Sequence, residues 1–273
     1  MADLAGIPAN LRPGAFAGAA EAYARYRPPY PPHVLADLLD RAAVGREALL
    51  DLATGPGRIA LDLAPRFARV VAVDLEPDMI DVARREAARR DIKTVTWHVG
   101  RVETFEAQTE SFDLVTIGEA FHRLEAAVVA RNVFRWLRPG GCLATLGTDN
   151  RFSGDEPWEV TYRVVRDRWI ARSFPEGFGL VLPGGALDQA DREAAMRSAG
   201  FVDIQGHDFE QTVQLSFDEL VGYLASTSGC SRKAIGPDFD VWIDELRSTL
   251  GADDSTRFTE HVRWGYTLAR KPG

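Results

Sequence analysis

Apolar residues along this chain follow two different spacings. Short continuous runs, Leu49-Leu50-Asp51-Leu52, Val70-Val71-Ala72-Val73-Asp74, Thr94-Val95-Thr96-Trp97-His98-Val99, Phe112-Asp113-Leu114-Val115-Thr116-Ile117 and residues 143–146, read as strands, and the β-branched run Val70–Asp74 is what a strand buried on both faces requires. Between them, apolar residues recur at three and four positions, which predicts helices over 15–26, 33–43, 58–67, the stretch after Pro77, and one marked by Val129, Val133, Trp136 and Leu137. The last of these is expected to stop at Pro139-Gly140-Gly141. Strands alternating with helices build a parallel sheet covered on both sides.

After Gly147 the pattern changes. Residues 148–187 mix Phe152, Trp158, Tyr162, Trp169, Phe174 and Phe178 with arginines and read as a helical insertion. A helix over 188–199 and a strand over 201–209 resume the alternation. A second aromatic-bearing helical stretch, 217–250, precedes a last strand over 261–269. No linker marks a boundary, so one domain over 1–273 is expected: an arm (1–45), a core (46–147) and two helical insertions (148–187 and 215–255) capping the sheet edge.

Composition narrows the function more than the fold. A chain of 273 residues that is 45% hydrophobic and 10% aromatic can bury a sizeable core. A net charge of −8 and a pI near 5.2 argue against an extended nucleic-acid surface. Cys142 and Cys230 form no disulfide framework and no metal-ligand spacing. Residues 1–10 do not resemble a signal peptide, and no apolar run is long enough to span a bilayer, so a cytoplasmic protein with no membrane partner is expected, as a monomer or homodimer. The arginine-rich, lysine-poor usage suggests a GC-rich bacterial genome.

The candidate chemistry gathers at the strand ends. Asp51 closes the first strand, and Ala53-Thr54-Gly55-Pro56-Gly57 turns the chain into the next helix. A loop serving a pyrophosphate presents backbone N–H groups and a helix N-terminus to the anion; a carboxylate beside it repels that ligand and favours a cationic one. Asp74 ends the second strand, where an acid can accept both hydroxyls of a ribose. Gly100-Arg101-Val102-Glu103 follows the third strand and offers a backbone N–H and polar side chains to a base. Gly118-Glu119-Ala120-Phe121-His122-Arg123 follows the fourth. His122, as an imidazole that titrates near neutral pH, is the candidate general base, with a structural histidine as the plainer alternative; Glu119 is the second candidate.

Taken in order, these pieces resemble class I S-adenosylmethionine-dependent methyltransferases, in the small-molecule group related to the ubiquinone/menaquinone and trans-aconitate methyltransferases. The matching segments are Ala20-x-x-Tyr23-x-x-x-Arg27-Pro28-x-Tyr30-Pro31, Leu50-Asp51-Leu52-Ala53-Thr54-Gly55-Pro56-Gly57, Asp74 with Met79, Ser111-Phe112-Asp113-Leu114-Val115 with Ala120-Phe121-His122, and Leu137-Arg138-Pro139-Gly140-Gly141. The resemblance implies a Rossmann-like α/β fold, with a seven-stranded, mostly parallel sheet and an antiparallel last strand. It implies S-adenosyl-L-methionine as cofactor, S-adenosyl-L-homocysteine as product and a small-molecule acceptor. Tyr23 and Arg27 would close over the methionine end, with Arg27 on its carboxylate. Asp51, Ala53, Thr54, Gly55 and Gly57 would line methionine and ribose. Asp74 would hold the ribose hydroxyls, Met79 would pack near the adenine edge, and Arg101, Val102 and Glu103 would flank the base, with Leu75 and Glu119 also binding the cofactor.

Three residues depart from the family's pattern, one of them Arg123, which follows Phe121-His122 where the family often shows Trp or His and which bears on the substrate side. Ala53 replaces the first glycine of the loop, which a negative φ would tolerate. Arg101 replaces an aspartate that accepts from the adenine amino group, and a guanidinium cannot accept. Two rivals follow: Gly55-Pro56-Gly57-Arg58-Ile59-Ala60 with Asp74 also fits an NAD(P)-linked oxidoreductase, and the departures fit a binding module that has lost turnover. For the acceptor, the aromatic insertions suggest a lid over an apolar molecule, while Arg163, Arg166 and Arg172 suggest an acidic one.

Overall fold

The computed structural model describes residues 16, 18–149, 151–173 and 189–273. The chain divides into two compact units. One takes the described residues among Pro29–Thr148, Gly184–Phe209 and Trp264–Gly273, the other those among Met1–Pro28, Asp149–Pro183 and Glu210–Arg263.

The first unit is built on strands β1 (Ala48–Leu52), β2 (Arg69–Asp74), β3 (Val95–Val99), β4 (Phe112–Gly118) and β5 (Leu137–Thr148). With β6 (Val202–Ser216) and β7 (Arg257–Arg270) they form a seven-stranded sheet in the order β3-β2-β1-β4-β5-β7-β6. Strands β1 to β5 pair in parallel. Strand β7 runs antiparallel to β5, from Cys142 opposite Arg270 to Thr148 opposite Trp264. This is the expected fold class. Every residue of β1 is buried, as the continuous apolar run requires.

Helices α2 (Pro32–Ala42), α3 (Arg58–Leu63), α4 (Pro77–Arg89), α5 (Ala126–Trp136) and α7 (Gln189–Ala199) belong to this unit. Proline opens α2 and α4, where its missing N–H has no helical partner to lose. Leu50, Leu52, Val115, Ile117, Val133, Trp136 and Met196 share one core, each worth roughly 1.5–3 kcal/mol when fully buried.

The second unit contains α1 (Ala20–Tyr26), α6 (Pro157–Ser173), α8 (Phe217–Ala225), α9 (Arg232–Ile235) and α10 (Phe239–Leu250). Its aromatics, Phe152, Tyr162, Trp169, Phe217, Tyr223, Phe239, Trp242 and Phe258, are buried in a core of their own. The expected acid-reading arginines are engaged as well. Arg163 donates to the carbonyls of Phe152 and Gly154, Arg166 pairs with Asp167, and Arg172 lies 3.5 Å from Asp238. These contacts tie the aromatics and the arginines to their own unit.

Several boundaries differ from the expectation. The segment Pro139-Gly140-Gly141 ends no helix: α5 stops at Trp136 and these residues lie inside β5, at a shift in register where Phe112 pairs with Leu137 but Leu114 with Cys142. Such an irregularity accommodates a proline and a left-handed Gly140 (φ 77°). Helix α3 ends at Leu63 because Pro65 opens a 3₁₀ turn over Ala64–Arg66. The single helical stretch over 217–250 is three helices. The first helix begins at Ala20, residue 15 of the expected range lying outside the described residues, as do Phe174, Phe178 and the start of the expected 188–199 helix at Asp188. Cys142 and Cys230 are buried free thiols.

Candidate active site

The strand order reverses between β1 and β4: the chain moves outward from β1 to β2 and β3, then returns to the other side of β1. The carboxyl ends of these two strands flank the crevice where open α/β sheets bind ligands. Both end in a left-handed residue other than glycine, Ala53 with φ 51° and Glu119 with φ 53°. The expected negative φ at Ala53 is thus incorrect. The loop keeps the glycine-like conformation and carries the strain of a Cβ there.

Asp51 is 1% exposed. Its Oδ2 accepts from Thr54 Oγ1 at 2.5 Å and the Ala60 amide at 3.2 Å, and its Oδ1 accepts from Thr116 Oγ1 at 2.6 Å. One carboxylate thereby ties β1 to β4, to the loop and to the start of α3. Burial dominates these bonds and raises its pKa to about 6, and nearby Asp74 adds to the rise. Asp51 accordingly organises the loop from within.

Thr54 donates its amide to the Val73 carbonyl at 3.0 Å, joining the loop to β2. Gly55 (φ 56°) has nothing within 4 Å of where a Cβ would stand, so the loop faces open space there. Gly57 (φ 80°) caps α3, and a Cβ on it would lie 2.7 Å from Trp97 Cη2. Only glycine meets both demands at that position.

Asp74 sits at the tip of β2. Its Oδ2 accepts from the Gly55 amide at 2.7 Å and its Oδ1 from the Glu76 amide at 2.9 Å. Burial, opposed by these bonds, raises its pKa. Leu75 beside it is 39% exposed and Val99, at the tip of β3, 50% exposed, whereas Met79 is buried. Arg101 lies 3.4 Å from Glu103 and 4.0 Å from Glu125. Glu103 Oε1 accepts from the Glu125 amide at 3.4 Å, and Val102 is buried in the 3₁₀ turn between them. The segment after β3 is thereby tied to Glu125 at the start of α5.

Beyond β4, Glu119 Oε1 accepts from the amide and hydroxyl of Thr148 at 2.7 and 2.9 Å, so its carboxylate is anchored to the tip of β5. His122 lies in the 3₁₀ turn Phe121–Arg123. Burial, then Arg123 and Arg192, pull its pKa down to about 4. The expectation of an imidazole titrating near neutral pH is therefore corrected: His122 is neutral at pH 7, because a charged ring would be both desolvated and repelled. Tyr23 and Arg27 belong to the helical unit. There Arg27 donates to Ser226 Oγ and to the Tyr223 hydroxyl, both at 2.9 Å, with its guanidinium 5.0 Å from the Tyr23 ring centre.

Residues that sequence reading passed over hold this arrangement. Thr116 stands opposite Asp51 in register, and a lone hydroxyl within a buried apolar run is the signal that would have found it. Thr148, Tyr223 and Ser226 gave no such signal. Tyr30, quoted only as part of a motif, has its hydroxyl 2.4 Å from the position of a Cβ on Gly118, and it holds the end of β4 to glycine.

The site's chemistry can be tested against a ligand class. Hydrogen bonds to neutral donors, with no ion pair among the described residues, hold the two buried carboxylates at the first two strand tips. A pyrophosphate would add negative charge to that field. A phosphate-free, cationic nucleoside, with the flat face of its base against the exposed Leu75, fits it.

Comparison with known proteins agrees. A family model for a methyltransferase domain matches residues 49–141. An uncharacterised methyltransferase of Mycobacterium tuberculosis is 31% identical over 215 residues, 79% of this chain and 77% of that one. The chain belongs to the class I S-adenosylmethionine-dependent methyltransferases. The ubiquinone biosynthesis O-methyltransferase of Xanthomonas oryzae is 36% identical over 131 residues, 47% of this chain and 52% of that one. Two solved structures share the methyltransferase fold. A candidate type II methyltransferase of Anaeromyxobacter dehalogenans has a TM-score of 0.61 at 23% identity, covering 90% of this chain and 98% of that one. Phosphoethanolamine N-methyltransferase 2 of Haemonchus contortus, solved with S-adenosyl-L-methionine, has a TM-score of 0.54 at 19% identity, covering 95% of this chain and 56% of that one. For a methyltransferase, the oxidoreductase reading of Gly55-Pro56-Gly57 falls away.

Proposed function

We propose that this methyltransferase acts on a small molecule of bacterial metabolism in the cytoplasm, at an acceptor oxygen first and at nitrogen, carbon or sulfur otherwise. The uncompensated Asp51 and Asp74 around an open glycine loop carry this reading of the cofactor site. The O-methyltransferase relative supports oxygen as the acceptor atom. The chain acts as one methyltransferase domain, monomeric or homodimeric.

The cofactor supplies a methyl group already activated on a sulfonium, so the protein's task is to position two molecules and exclude water. Gly55 lets the backbone approach it, Thr54 and Ala53 shape the loop, and Gly57 closes the loop onto Trp97. Asp74 accepts from the ribose hydroxyls with lone pairs that its two amide donors leave over. Leu75 packs on the base, Met79 backs it, and Val102 and Glu103 read its edge while Arg101 holds Glu103. By the motif resemblance, Arg27 and Tyr23 are the candidates for the cofactor's carboxylate.

His122 presents an unprotonated ring to an acceptor that has a proton to lose. Its low basicity makes it an orienting acceptor more than a strong base. Glu119, already accepting twice from Thr148, serves by fixing the β4 and β5 tips and not by moving a proton.

Calorimetric titration tests the cofactor assignment. S-adenosylhomocysteine is expected to bind at micromolar concentration and NADH not at all, and Asp74→Ala to weaken the former by roughly 1.5–3 kcal/mol. Full binding by that variant would remove the ribose role. Transfer of labelled methyl to phenols, amines, thiols or carboxylic acids then separates an enzyme from a binding module.

A further inference from the structure

The glycine loop is pinned to the sheet at three corners, all within the sheet unit. Thr54 gives its hydroxyl to Asp51 and its amide to the Val73 carbonyl. The Gly55 amide meets Asp74 at 2.7 Å. The third corner is Gly57, which starts α3 with φ 80°. A Cβ there would stand 2.7 Å from Trp97 Cη2, and 3.1 Å from both Trp97 Cζ3 and the Cβ of Ala83 in α4. The six-membered edge of the indole therefore lies directly against Gly57.

Trp97 differs from its neighbours in β3. This strand is an edge of the sheet, where Thr96, His98 and Val99 are exposed while Trp97 is half-buried. Its register partner in β2 is the small, fully buried Ala72. Helix α3 has only six residues and few bonds of its own, so what it packs on sets where it starts. A rigid double ring with two side-chain torsions fixes such a distance better than a flexible chain of similar size.

We propose that Trp97 is a positioning residue for the cofactor loop. Its indole sets how far the start of α3 stands from β3, and so holds Gly55 where its amide meets Asp74 and its open side faces the ligand. The loop is thereby ordered before the ligand arrives, and binding need not supply that order. This rests on the reading of the loop as the cofactor's seat.

Calorimetric affinity for S-adenosylhomocysteine and the urea midpoint are compared in the wild type, Trp97→Phe, Trp97→Leu, Gly57→Ala, each Trp97 change combined with Gly57→Ala, and Asp74→Ala. Trp97→Phe keeps a ring on β3 and withdraws the atoms that face Gly57, so the test does not depend on Trp97→Leu folding. The folded Trp97 variants are expected to bind about threefold to tenfold more weakly, the effect of ordering a segment during binding. Gly57→Ala carries two penalties, a Cβ at a left-handed φ and a collision with the indole. Only the collision disappears when Trp97 is shortened. Gly57→Ala is therefore expected to lose about tenfold or more in the wild type and clearly less beside a shortened Trp97, a non-additive pair.

Wild-type affinity in the folded Trp97 variants, or an equal Gly57→Ala loss in either background, overturns the positioning role. A lowered urea midpoint with unchanged affinity does the same, since it makes Trp97 a packing residue only. Weakened binding by Asp74→Ala beside unaffected Trp97 variants sinks this inference alone. If Asp74→Ala also binds as the wild type does, the cofactor reading of the loop fails and this inference with it.

Discussion

Asp51, which is buried, and His122, which is half-buried, are two groups at the strand tips whose titrations oppose each other. Burial raises Asp51 from 3.8 to about 6, so between those values the folded chain holds a proton that the unfolded chain has released. Its contribution is present below pH 3.8 and lost as pH rises to about 6. His122 is lowered from 6.5 to about 4, so its contribution is present above pH 6.5 and lost as pH falls to about 4. In the shared window the two slopes cancel in the wild type. Removing one exposes the other. Asp51→Asn is expected to make stability rise with pH between 4 and 6, and His122→Gln to make it fall, each by up to about 1 kcal/mol per pH unit relative to wild type. Urea denaturation at half-unit pH intervals measures both, and parallel curves for the wild type and Asp51→Asn would show that Asp51 does not titrate in this window.

At the scale of elements, helix α1 depends on a missing side chain in α8. A Cβ on Gly222 would lie 2.2 Å from Cγ of Tyr26, so the ring occupies the space a side chain would need. Helix propensity alone says that Gly222→Ala should stabilise α8 by about 1 kcal/mol. The contact predicts the opposite sign, a loss of roughly 1–3 kcal/mol from overpacking, recovered in part by Tyr26→Ala. Chemical denaturation of the two single variants and the double variant decides between propensity and contact. What was legible in the sequence divides along the same line. The parallel strands, α2, α4 and α5 were readable because their apolar spacing is local. The start of α8 was marked by Ser216-x-x-Glu219, a capping box, and the break-up of 217–250 by Ser231 and Gly236 around α9. Glu260 could not be read: it occupies an inward position of β7, and its partner Arg151 lies 109 residues away. Likewise Asp74 and the glycine loop could be recognised from spacing, while the inward turn of Asp51 depended on Thr116 from another strand.

The whole molecule passes between its two units five times, so neither unit is a continuous piece of chain. The segment 46–147 contains nearly all the residues proposed to hold the cofactor and includes the whole stretch the family model matches. It lacks what completes the sheet. The outer edge of β5 from Cys142 to Thr148 pairs with Arg270 to Trp264, and Lys271 donates its amide to Gly141 and its ammonium to the Leu137 carbonyl. Helix α2 buries Val34, Leu35, Leu38 and Leu39 in the same unit, and its Asp37 accepts from Tyr266 of β7 at 2.5 Å. Cut out alone, 46–147 exposes a long apolar strand edge, the feature that drives edge-to-edge association. It is therefore expected to aggregate or remain unfolded and to bind no S-adenosylhomocysteine. Circular dichroism, gel filtration and calorimetry on that segment check the expectation. A folded monomer that binds the ligand as the whole chain does would show that β1 to β5 close without β7 and α2, and would locate cofactor binding in the continuous segment alone.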